Sequence, residues 1–378
     1  MKPKYTIIIN TPQELNHSSY IQTGLFELKR MGIIDLKIKI NANKRLGRVI
    51  VSNTGEITET KQAHPKTSFY KLINNIDKNE VFFACDLYDF ANHFSKEALE
   101  KCDFIFKRSY DHTYLETLPK KYKNKIYPLG LTFGVHSNYK EEFYKFLIGL
   151  FLSNTILSFK LDRNVFKTLR KTVFAQKRHW DFINTTRNLD RFEDYIDGKD
   201  KTILFQTRCF LHENDIDVKQ IHQQRYAIIK LLQKNYSDYF LGGFVPSKIS
   251  KEKYGDALTN VPSEPEKYLD VLKNTKIVIY TRGLSNSPAW KMAEYLSQGK
   301  VIIAEELTTD LPVPLEHGKE LLLFNTDEEL ILNIKRVLQD EKLGDSLSKN
   351  ARNYFEEHVH PTKNVKRILD LMISKAKN

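Results

Sequence analysis

The clearest pattern of hydrophobic and polar positions in the chain lies between residues 277 and 304. Two short apolar runs, Ile277–Tyr280 and Val301–Ala304, predict strands that are buried on both faces. The stretch between them opens with small and polar residues, Thr281–Asn286, which predict a turn. The whole pattern therefore predicts two parallel strands that are joined by a crossover helix.

The crossover helix carries the best candidates for chemistry. It is predicted to begin at Ser287 and Pro288, an N-cap residue followed by a residue favoured at the first helical position, and to end near Gln298. Ligands of open parallel sheets bind beyond the carboxyl ends of the strands, and the N–H groups of a helix start favour phosphate. Lys291 and Glu294 share one helix face, so Lys291 can reach a phosphate and Glu294 can accept hydrogen bonds from a ribose. The other interpretation is an ordinary Lys–Glu pair on a solvated face.

The first half of the chain also alternates between strand and helix patterns. Strands are predicted at Tyr5–Asn10, Leu36–Ile40, Arg48–Ser52, Ile57–Thr60, Val81–Cys85, Phe104–Lys107 and Ile126–Leu129. Helices are predicted at Ser19–Arg30, Phe69–Ile76, Ser95–Lys101 and Tyr114–Lys123. The strand pattern restarts at Thr202–Gln206, so we predict an N-terminal domain over residues 1–195 and a C-terminal domain over residues 196–378.

The composition is that of a globular protein long enough for two domains. The 378 residues are 41% apolar and 28% charged, and 59 Lys and Arg against 47 Asp and Glu give a net charge of +12. This excess suits an anionic partner, such as a nucleoside diphosphate, an anionic membrane surface, an acidic glycan or a nucleic acid. The basic residues are dispersed and form no nucleic-acid-binding motif, so we expect no nucleic-acid partner.

Cysteine use and the lengths of the apolar runs indicate the compartment. Cys85, Cys102 and Cys209 show neither metal-ligand spacing nor a paired framework, which fits a reducing cytoplasm. The N-terminal apolar run is too short for a signal peptide, and no run of about 18 apolar residues predicts a spanning helix. We therefore expect a cytoplasmic protein, with any membrane contact peripheral and at the inner face.

Residues 141–190 form a helical segment whose residue composition differs from that of the rest of the first domain. Phe143–Phe159 is strongly apolar and aromatic, whereas Lys160–Arg178 is basic with apolar residues at helical spacing. One interpretation is a basic amphipathic pair of helices that lies on anionic lipid. The other is a pair that packs across the junction between the domains and turns its basic face to water.

The segment Trp290–Ala304 resembles the nucleotide-sugar-binding helix of GT-B glycosyltransferases. That helix carries a Lys or Leu, two further residues and a Glu, followed by a small residue and a Gly before an apolar strand. In the family this Glu binds the ribose of the nucleotide sugar, and its position here is Glu294. A second Glu that many retaining families carry eight residues earlier is replaced by Asn286. The stretch Leu311–Phe324 extends the resemblance to group 1 glycosyltransferases with a spore-maturation-type C-terminal domain.

The resemblance implies an α/β protein of the GT-B fold, with two Rossmann-like doubly wound domains that face a cleft. It implies transfer of a hexosyl group from a nucleotide sugar to a hydroxyl of a glycan or lipid-linked glycan, in surface polysaccharide assembly. It also implies that no metal and no cofactor beyond the sugar donor are needed. The replacement at Asn286 keeps another interpretation open, a catalytically silent GT-B protein that binds glycan or assists assembly. The sugar, the nucleotide and the stereochemical outcome stay open.

The resemblance places further donor-binding residues at the strand ends of the second domain. Arg208 follows the strand Thr202–Gln206 and corresponds to a phosphate-binding Arg, although an ion pair with Glu213 or Asp215 is the competing interpretation. Gly243 lies in a segment that is near the nucleobase in the family. Arg282 and the helix start at Ser287 add positive potential for the diphosphate, beside Lys291 and Glu294.

Two residues of the first domain are candidates for the catalytic base. Asp86 follows the predicted strand Val81–Cys85, and His17 lies between the first strand and the first helix. An inverting transferase needs a base near the acceptor hydroxyl, and a carboxylate or imidazole at a strand end can serve. The competing interpretations are a helix cap or a surface side chain. Asp86 and Asp89 form a poor metal motif, so we expect no metal site there.

Overall fold

The computed structural model describes residues 3–41, 47–161, 164–196, 200–212 and 215–376. The chain divides into two compact units. The first unit comprises Met1–Asp190, Thr309–Pro312 and Val359–Asn378, and the second comprises Arg191–Thr308 and Val313–His358. No helix within the described residues has the length and apolar character that crossing a membrane requires.

The first unit contains eleven of the strands and seven of the helices that the structure describes. Its strands are β1 (Tyr5–Thr11), β2 (Ile34–Ile40), β3 (Arg48–Val51), β4 (Ile57–Thr60), β5 (Thr67–Asn74), β6 (Glu80–Asp86), β7 (His93–Ser95), β8 (Phe104–Lys107), β9 (Ile126–Pro128), β10 (Val135–His136) and β11 (Arg187–Asn188). Its helices are α1 (Leu15–Arg30), α2 (Lys96–Lys101), α3 (His112–Glu116), α4 (Lys120–Lys123), α5 (Lys140–Leu161), α6 (Val165–Thr185) and, from the end of the chain, α14 (Pro361–Lys375).

A six-stranded mixed sheet in the order β2-β1-β5-β6-β8-β9 forms the centre of the first unit. Strand β5 is antiparallel to both of its neighbours, and the other pairs are parallel. Strands β4, β3 and β7 form a small antiparallel sheet, which confirms the strands predicted at Arg48–Ser52 and Ile57–Thr60 and pairs them with each other. Helix α1 packs on β2 of the six-stranded sheet, and its side chains fill the core there. Helix α14 packs along α1.

Two predictions for the first unit are wrong. Residues 69–76 do not form a helix, because the aromatic and apolar residues of β5 pair along two strands and bury Phe69, Tyr70 and Leu72 in the sheet. The predicted basic helix Tyr114–Lys123 is broken into α3 and α4, because Pro119 removes a backbone donor and disfavours helix before it.

The second unit is built around a parallel sheet. Its strands are β12 (Asp200–Thr207), β13 (Phe240–Phe244), β14 (Thr275–Tyr280), β15 (Val301–Ala304) and β16 (Leu321–Leu323), in the order β13-β12-β14-β15-β16. Its helices are α7 (Asp190–Glu193, at the boundary), α8 (Ile216–Asn235), α9 (Lys248–Lys253), α10 (Pro265–Asn274), α11 (Trp290–Ser297), α12 (Asp327–Gln339) and α13 (Glu341–Tyr354). Short turns of 3-10 helix lie at Gly255–Ala257 and Leu284–Asn286, and Phe355–Val359 is a π-helical turn.

The strand order of the second unit defines where a ligand can bind. The first strand in sequence, β12, lies between β13 and β14, so the direction of winding reverses at the β12–β14 pair. Doubly wound sheets bind ligands in the crevice outside the carboxyl ends of such a strand pair. The predicted α/β class is thereby confirmed, and the candidate helix α11 follows one of these two strands.

Candidate functional site

A partly buried lysine on α11, the helix that follows β14, reaches the carboxyl end of β12. The Lys291 ammonium donates a hydrogen bond to the carbonyl of Gln206, at the end of β12, and lies 4.7 Å from the ring centroid of Tyr268. Burial, together with the nearby positive charges of Arg225 and Arg208, lowers the pKa of Lys291 to about 7, although Glu294 opposes the shift. The site thus contains a lysine that changes its charge near neutral pH.

Glu294 lies one turn after Lys291 on the same helix. The residue is only 6% exposed, and it is near enough to favour the charged form of Lys291. A fully solvated Lys–Glu pair is therefore not what the structure shows, because Glu294 is buried and Lys291 is partly buried at the end of the sheet. A buried carboxylate beside a lysine with a lowered pKa is a candidate for a functional site.

Arg225 of α8 fixes the two loops that form the edge of this site. Its guanidinium donates to the carbonyl of Arg208, after β12, and to the carbonyl of Arg282, after β14, each at 3.1 Å. It also lies 5.1 Å from the ring centroid of Phe210. Burial and Arg208 lower the pKa of Arg225 to about 10, so the side chain stays charged at neutral pH. The buried cation holds both loops and adds positive potential to the crevice.

The loop between β14 and α11 has a tightly held, unusual backbone. Ser285 and Asn286 both adopt left-handed conformations, with φ of 55° and 58°, which are strained for residues other than glycine. Asp217 of α8 holds the loop by accepting from the Arg282 guanidinium at 2.5 Å and from the Ser285 N–H at 2.9 Å. Thr308 donates to the Asn286 carbonyl at 2.7 Å. Such over-determined strain is typical of preorganised binding loops.

Glu305 completes the frame at the end of β15. One of its carboxylate oxygens accepts the N–H of Arg282 at 2.8 Å, and the other accepts from the Gln224 amide. The negative charge favours the protonated form of the neighbouring Arg225. Asp217, Arg225 and Glu305 were not among the sequence candidates. The only available signals were a cation within the apolar spacing of α8 and a carboxylate directly after a buried strand.

The other predicted donor-site residues have more varied surroundings. Arg208 is exposed at the end of β12, and its side chain makes no ion pair or hydrogen bond to any described residue. Of its two predicted alternatives, Asp215 caps α8, and Glu213 lies outside the described residues. The Arg282 side chain is engaged by Asp217. Its backbone carbonyl and N–H, held by Arg225 and Glu305, nevertheless form part of the loop.

Gly243 and Ser287 have structural explanations of their own. A Cβ on Gly243 would lie 2.6 Å from the carbonyl oxygen of Ala257, so β13 requires glycine for close packing. Ser287 does not cap α11, and that prediction is wrong. Its hydroxyl donates to the Leu284 carbonyl at 2.8 Å, and the helix begins at Trp290 after an extended Ala289. The strained 3-10 turn delays the helix start beyond the Ser–Pro pair.

In the first unit, Asp86 is the centre of a buried ion pair. Its carboxylate lies 3.2 Å from the ammonium of Lys107 and 3.1 Å from the imidazole of His64, and it accepts the Tyr88 N–H at 3.0 Å. Although burial opposes ionisation, Lys107 and His64 hold the pKa of Asp86 below its usual range. A carboxylate with three donors and a lowered pKa is a weak proton acceptor.

His17 belongs to a neighbouring group of charges at the start of α1. Asp89 lies 2.6 Å from Lys66 and 2.9 Å from Arg108, and the charges of all three act on the His17 imidazole. Burial, with Lys66 and Arg108, lowers the pKa of His17 to about 3 against the opposing effect of Asp89. The imidazole is therefore neutral at physiological pH, and its side chain is 19% exposed.

The lowered pKa values of the histidines predict a loss of stability in mild acid. His17 and His93 have their pKa values lowered to about 3 and about 4, whereas unfolded histidine titrates near 6.5. Between about pH 6.5 and 4 the unfolded chain binds more protons, so the free energy of unfolding should fall as the pH falls through this window. Denaturant titrations at several pH values measure the slope. His179, with a pKa of about 4, contributes in the same direction.

The control for this prediction is the double variant His17→Gln, His93→Gln. It should have a shallower dependence of stability on pH between 6.5 and 4, and a free energy of unfolding at pH 7.5 that changes little. The carboxylate of Asp86 adds little to the slope above about pH 5, because its pKa is near 3.8 in the unfolded chain and lower in the folded protein, so the slope between pH 6.5 and 5 distinguishes the histidines from it. A double variant with the wild-type slope would contradict the neutral, buried state of the two histidines.

One group of described residues has the spacing of metal ligands. Asp111, His112 and Asp310 present ligand atoms within 4.8 Å of one another in the first unit. The His112 ring lies 2.8 Å from Asp310, and Asp111 caps α3, so hydrogen bonds already account for the arrangement. His112 and Asp310 are exposed. The group therefore gives no argument for a metal centre.

Comparison with known families finds one match, in the second half of the chain. Residues 240–370 match a family described as "Glycosyl transferase-like". The match contains α10, β14, the strained loop, α11 and the lysine–glutamate pair. It confirms the resemblance of this part of the chain to glycosyltransferases. No curated protein sequence matches the chain.

Several solved structures are similar to the chain at a low level. TarM has 14% identity and a TM-score of 0.33, over 52% of this chain and 42% of TarM. A glycosyltransferase from Rickettsia africae has 12% identity and a TM-score of 0.40, over 75% of this chain and 66% of that one. HepE from Anabaena, in complex with UDP-glucose, has 10% identity and a TM-score of 0.34, over 72% and 79%. Scores this low carry no argument about function.

Proposed function

We propose that the chain is a GT-B glycosyltransferase that transfers a sugar from a nucleotide sugar to a hydroxyl of a glycan or lipid-linked glycan. The observation that carries the proposal is the partly buried Lys291, whose pKa is lowered, beside the buried Glu294 at the β12–β14 switch point, within the segment that matches the family. The match covers residues 240–370 only, so the activity of the whole chain is an inference from this site.

Each group of the site has a role in this chemistry. The Lys291 ammonium and the exposed Arg208 guanidinium would neutralise the diphosphate as the bond between the anomeric carbon and the phosphate oxygen breaks. Arg225 would add positive potential from beneath the loops, and Glu294 would accept hydrogen bonds from the ribose hydroxyls. Electrostatic stabilisation of this kind needs no metal, because the protein supplies the positive charges itself. We therefore propose a metal-independent transferase without a further cofactor.

The acceptor hydroxyl loses its proton as it attacks the anomeric carbon. We propose His17 as the proton acceptor for an inverting transfer, because its imidazole is neutral and partly exposed. Its pKa of about 3 makes it a weak base in the unliganded protein, so the proposal requires the bound substrates to raise that pKa. Asp86 is the weaker candidate, since Lys107 and His64 already occupy its carboxylate. The proposed acceptors belong to surface polysaccharide assembly, which fits the net charge of +12 if the glycan or its carrier is anionic.

A catalytically silent protein that binds glycan is the second candidate, and one observation favours it. Asn286 stands where many retaining families carry a second Glu, and its left-handed backbone shows that the loop differs from an ordinary helix start. Hydrolysis of a bound nucleotide sugar, followed by release of the free nucleotide, separates the two functions. An enzyme should show slow hydrolysis without acceptor, and a silent protein should bind without turnover.

A thermal-shift screen against UDP, GDP, CMP, ADP and dTDP tests the donor site. One nucleotide at about 100 times its dissociation constant should stabilise the wild type by about 2.7 kcal/mol. Glu294→Gln should lose most of this shift, because the amide offers one acceptor oxygen in place of two and has no negative charge to strengthen the bonds from the ribose hydroxyls. The matched control is Glu320→Gln, which replaces another buried glutamate of the second unit, 4% exposed. If no nucleotide stabilises the wild type, the donor site is wrong.

A further inference from the structure

Helix α5 of the first unit buries one apolar face and leaves a second apolar face uncovered. Phe146, Leu150 and Ser153 are fully buried where the helix packs on β1 and β2. On the other side, six side chains are between 39% and 61% exposed, namely Tyr144, Ile148, Phe151, Leu152, Ile156 and Phe159. Their spacing of four, three, one, four and three residues makes them one continuous stripe on the helix.

Helix α6 has the reverse of the usual arrangement in a water-soluble domain. Six of its apolar side chains are between 50% and 87% exposed, namely Val165, Phe166, Leu169, Val173, Phe174 and Trp180. The buried face contains Thr168, Thr172 and Phe182, and half-buried Gln176 and His179 continue it. Large apolar side chains that face outward from a mainly polar inner face indicate that this surface is covered by something apolar.

The charges around the apolar side chains indicate what covers them. Helix α6 carries five exposed basic side chains, Lys167, Arg170, Lys171, Lys177 and Arg178, and the single acid Asp181. A two-fold contact between two copies of this surface would oppose cation to cation, and like charges in an interface are strongly unfavourable. Anionic lipid headgroups above apolar acyl chains match both the charge and the exposed apolar side chains.

The lengths of the helices favour a position in the plane of a membrane. The part of α5 without charged residues extends from residue 146 to residue 159, which is shorter than the about 20 residues that a spanning helix needs. Helices that lie in the interface combine an apolar face, Phe and Trp residues and flanking basic side chains. Taken together, α5 and α6 have all of these features, and the two helices pack against each other as a hairpin.

We propose that α5 and α6 form a membrane-docking surface for an anionic bilayer. The twelve exposed apolar side chains named above insert at the boundary between headgroups and acyl chains, and the basic side chains of α6 contact lipid phosphates. The proposal concerns the first unit alone and does not depend on the nucleotide site of the second unit. It gives the protein a means of reaching an acceptor that is carried on a lipid.

Vesicle flotation with the full chain tests the proposal. The wild type should float with phosphatidylcholine vesicles that contain about 30% phosphatidylglycerol, and it should stay behind with phosphatidylcholine alone. The variant Phe166→Ser, Trp180→Ser should bind about tenfold more weakly, because the two side chains are 87% and 63% exposed and their loss leaves the core intact. The matched control is Ile76→Ser, Leu211→Ser, at two other exposed apolar positions, which should bind as the wild type does.

A charge-reversal pair separates lipid binding from general electrostatics. Lys167→Glu, Lys171→Glu should lower the affinity for anionic vesicles about tenfold or more, whereas Lys120→Glu, Lys121→Glu on α4 changes the net charge equally and should have little effect. Equal losses in both pairs would mean that net charge alone attracts the protein to the vesicles. That result would overturn a specific docking surface.

Fluorescence of Trp180 reports on insertion. Brominated acyl chains should quench the emission of the wild type, and Trp180→Phe should remove most of the quenching while the protein still binds. The proposal is overturned if the wild type does not float, or if light scattering shows dimers that Phe166→Ser, Trp180→Ser dissociates. Nucleotide-induced stabilisation in the serine variant would show that such a failure concerns the docking surface and not the donor site.

Discussion

Replacement of Lys291 by Met should reduce sugar transfer by about 10²- to 10³-fold while changing the free energy of unfolding by no more than about 1–2 kcal/mol. The variant lacks the ammonium that would stabilise the negative charge developing on the diphosphate when the sugar leaves. The protein itself should tolerate the change, because relief from burying an amine offsets the lost hydrogen bond to Gln206. Steady-state kinetics and denaturant unfolding measure the two effects separately.

The same lysine should couple nucleotide binding to proton uptake. In the unliganded protein its pKa is about 7, and a diphosphate beside it raises the pKa, since an anion favours the charged form. Between about pH 7 and 9 the complex therefore holds more protons than the separate components, so the affinity should fall as the pH rises through this window. Calorimetric titrations in buffers of different ionisation enthalpy measure the protons taken up.

The matched control is Lys300→Met. Lys300 is a lysine of the same unit that is 1% exposed, more buried than the partly buried Lys291, and it also donates to a backbone carbonyl, that of Lys273. This variant should keep the proton uptake of the wild type, whereas Lys291→Met should bind nucleotide without it. Uptake that persists in Lys291→Met would show that another group titrates on binding, and the role of Lys291 at the phosphate would be contradicted.

Replacement of Asp86 by Asn should lower the free energy of unfolding by about 3–5 kcal/mol. The change leaves the ammonium of Lys107, which is fully buried, without its counter-charge. The amide also keeps only one acceptor oxygen where the carboxylate has two, so it cannot serve the Lys107 ammonium, the buried His64 imidazole and the Tyr88 N–H as the carboxylate does. Chemical denaturation measures the loss directly. An effect this large would explain reduced activity through folding, without a role for Asp86 as a base.

Two further variants define the cause of that loss. Asp86→Asn, Lys107→Met should recover part of the stability, because no uncompensated charge is left in the core. Asp89→Asn should lose less than half as much as Asp86→Asn, since the Asp89 side chain is 24% exposed and water screens its two ion pairs. If Asp86→Asn is as stable as the wild type but does not transfer sugar, the carboxylate acts in catalysis after all.

The sequence predicted the second unit better than the first, for a physical reason. The strands of a parallel sheet that is buried on both faces are continuous apolar runs, so Val301–Ala304 agrees with the structure at both ends and Ile277–Tyr280 agrees at its carboxyl end. In the first unit, β5 joins the sheet in an antiparallel direction. Its residues Thr67–Asn74 mix aromatic, polar and apolar side chains without strict alternation, and only pairing on both sides makes them a strand.

The candidate site was predictable as far as a local motif reached. Lys291 and Glu294 are three residues apart on one helix, so their shared face follows from helix geometry. Arg225 and Asp217 approach the site from α8, and the sequence cannot show that their partners are the carbonyl of Arg282 and the N–H of Ser285. The delayed start of α11 was equally invisible, because it depends on a strained turn that these distant residues hold in place.

The position of α14 has a consequence for folding during translation. Gly24 of α1 lies so close to this helix that a Cβ there would be 2.5 Å from the Pro361 carbonyl, and Asn364 donates to the carbonyl of Leu129 at 2.9 Å. The ribosome makes residues 359–378 only after it has made the entire second unit. The apolar face of α1 that contacts α14 therefore stays exposed during much of translation. During that interval we expect chaperones to bind the nascent first unit. The second unit, in contrast, can complete its sheet as soon as β16 emerges.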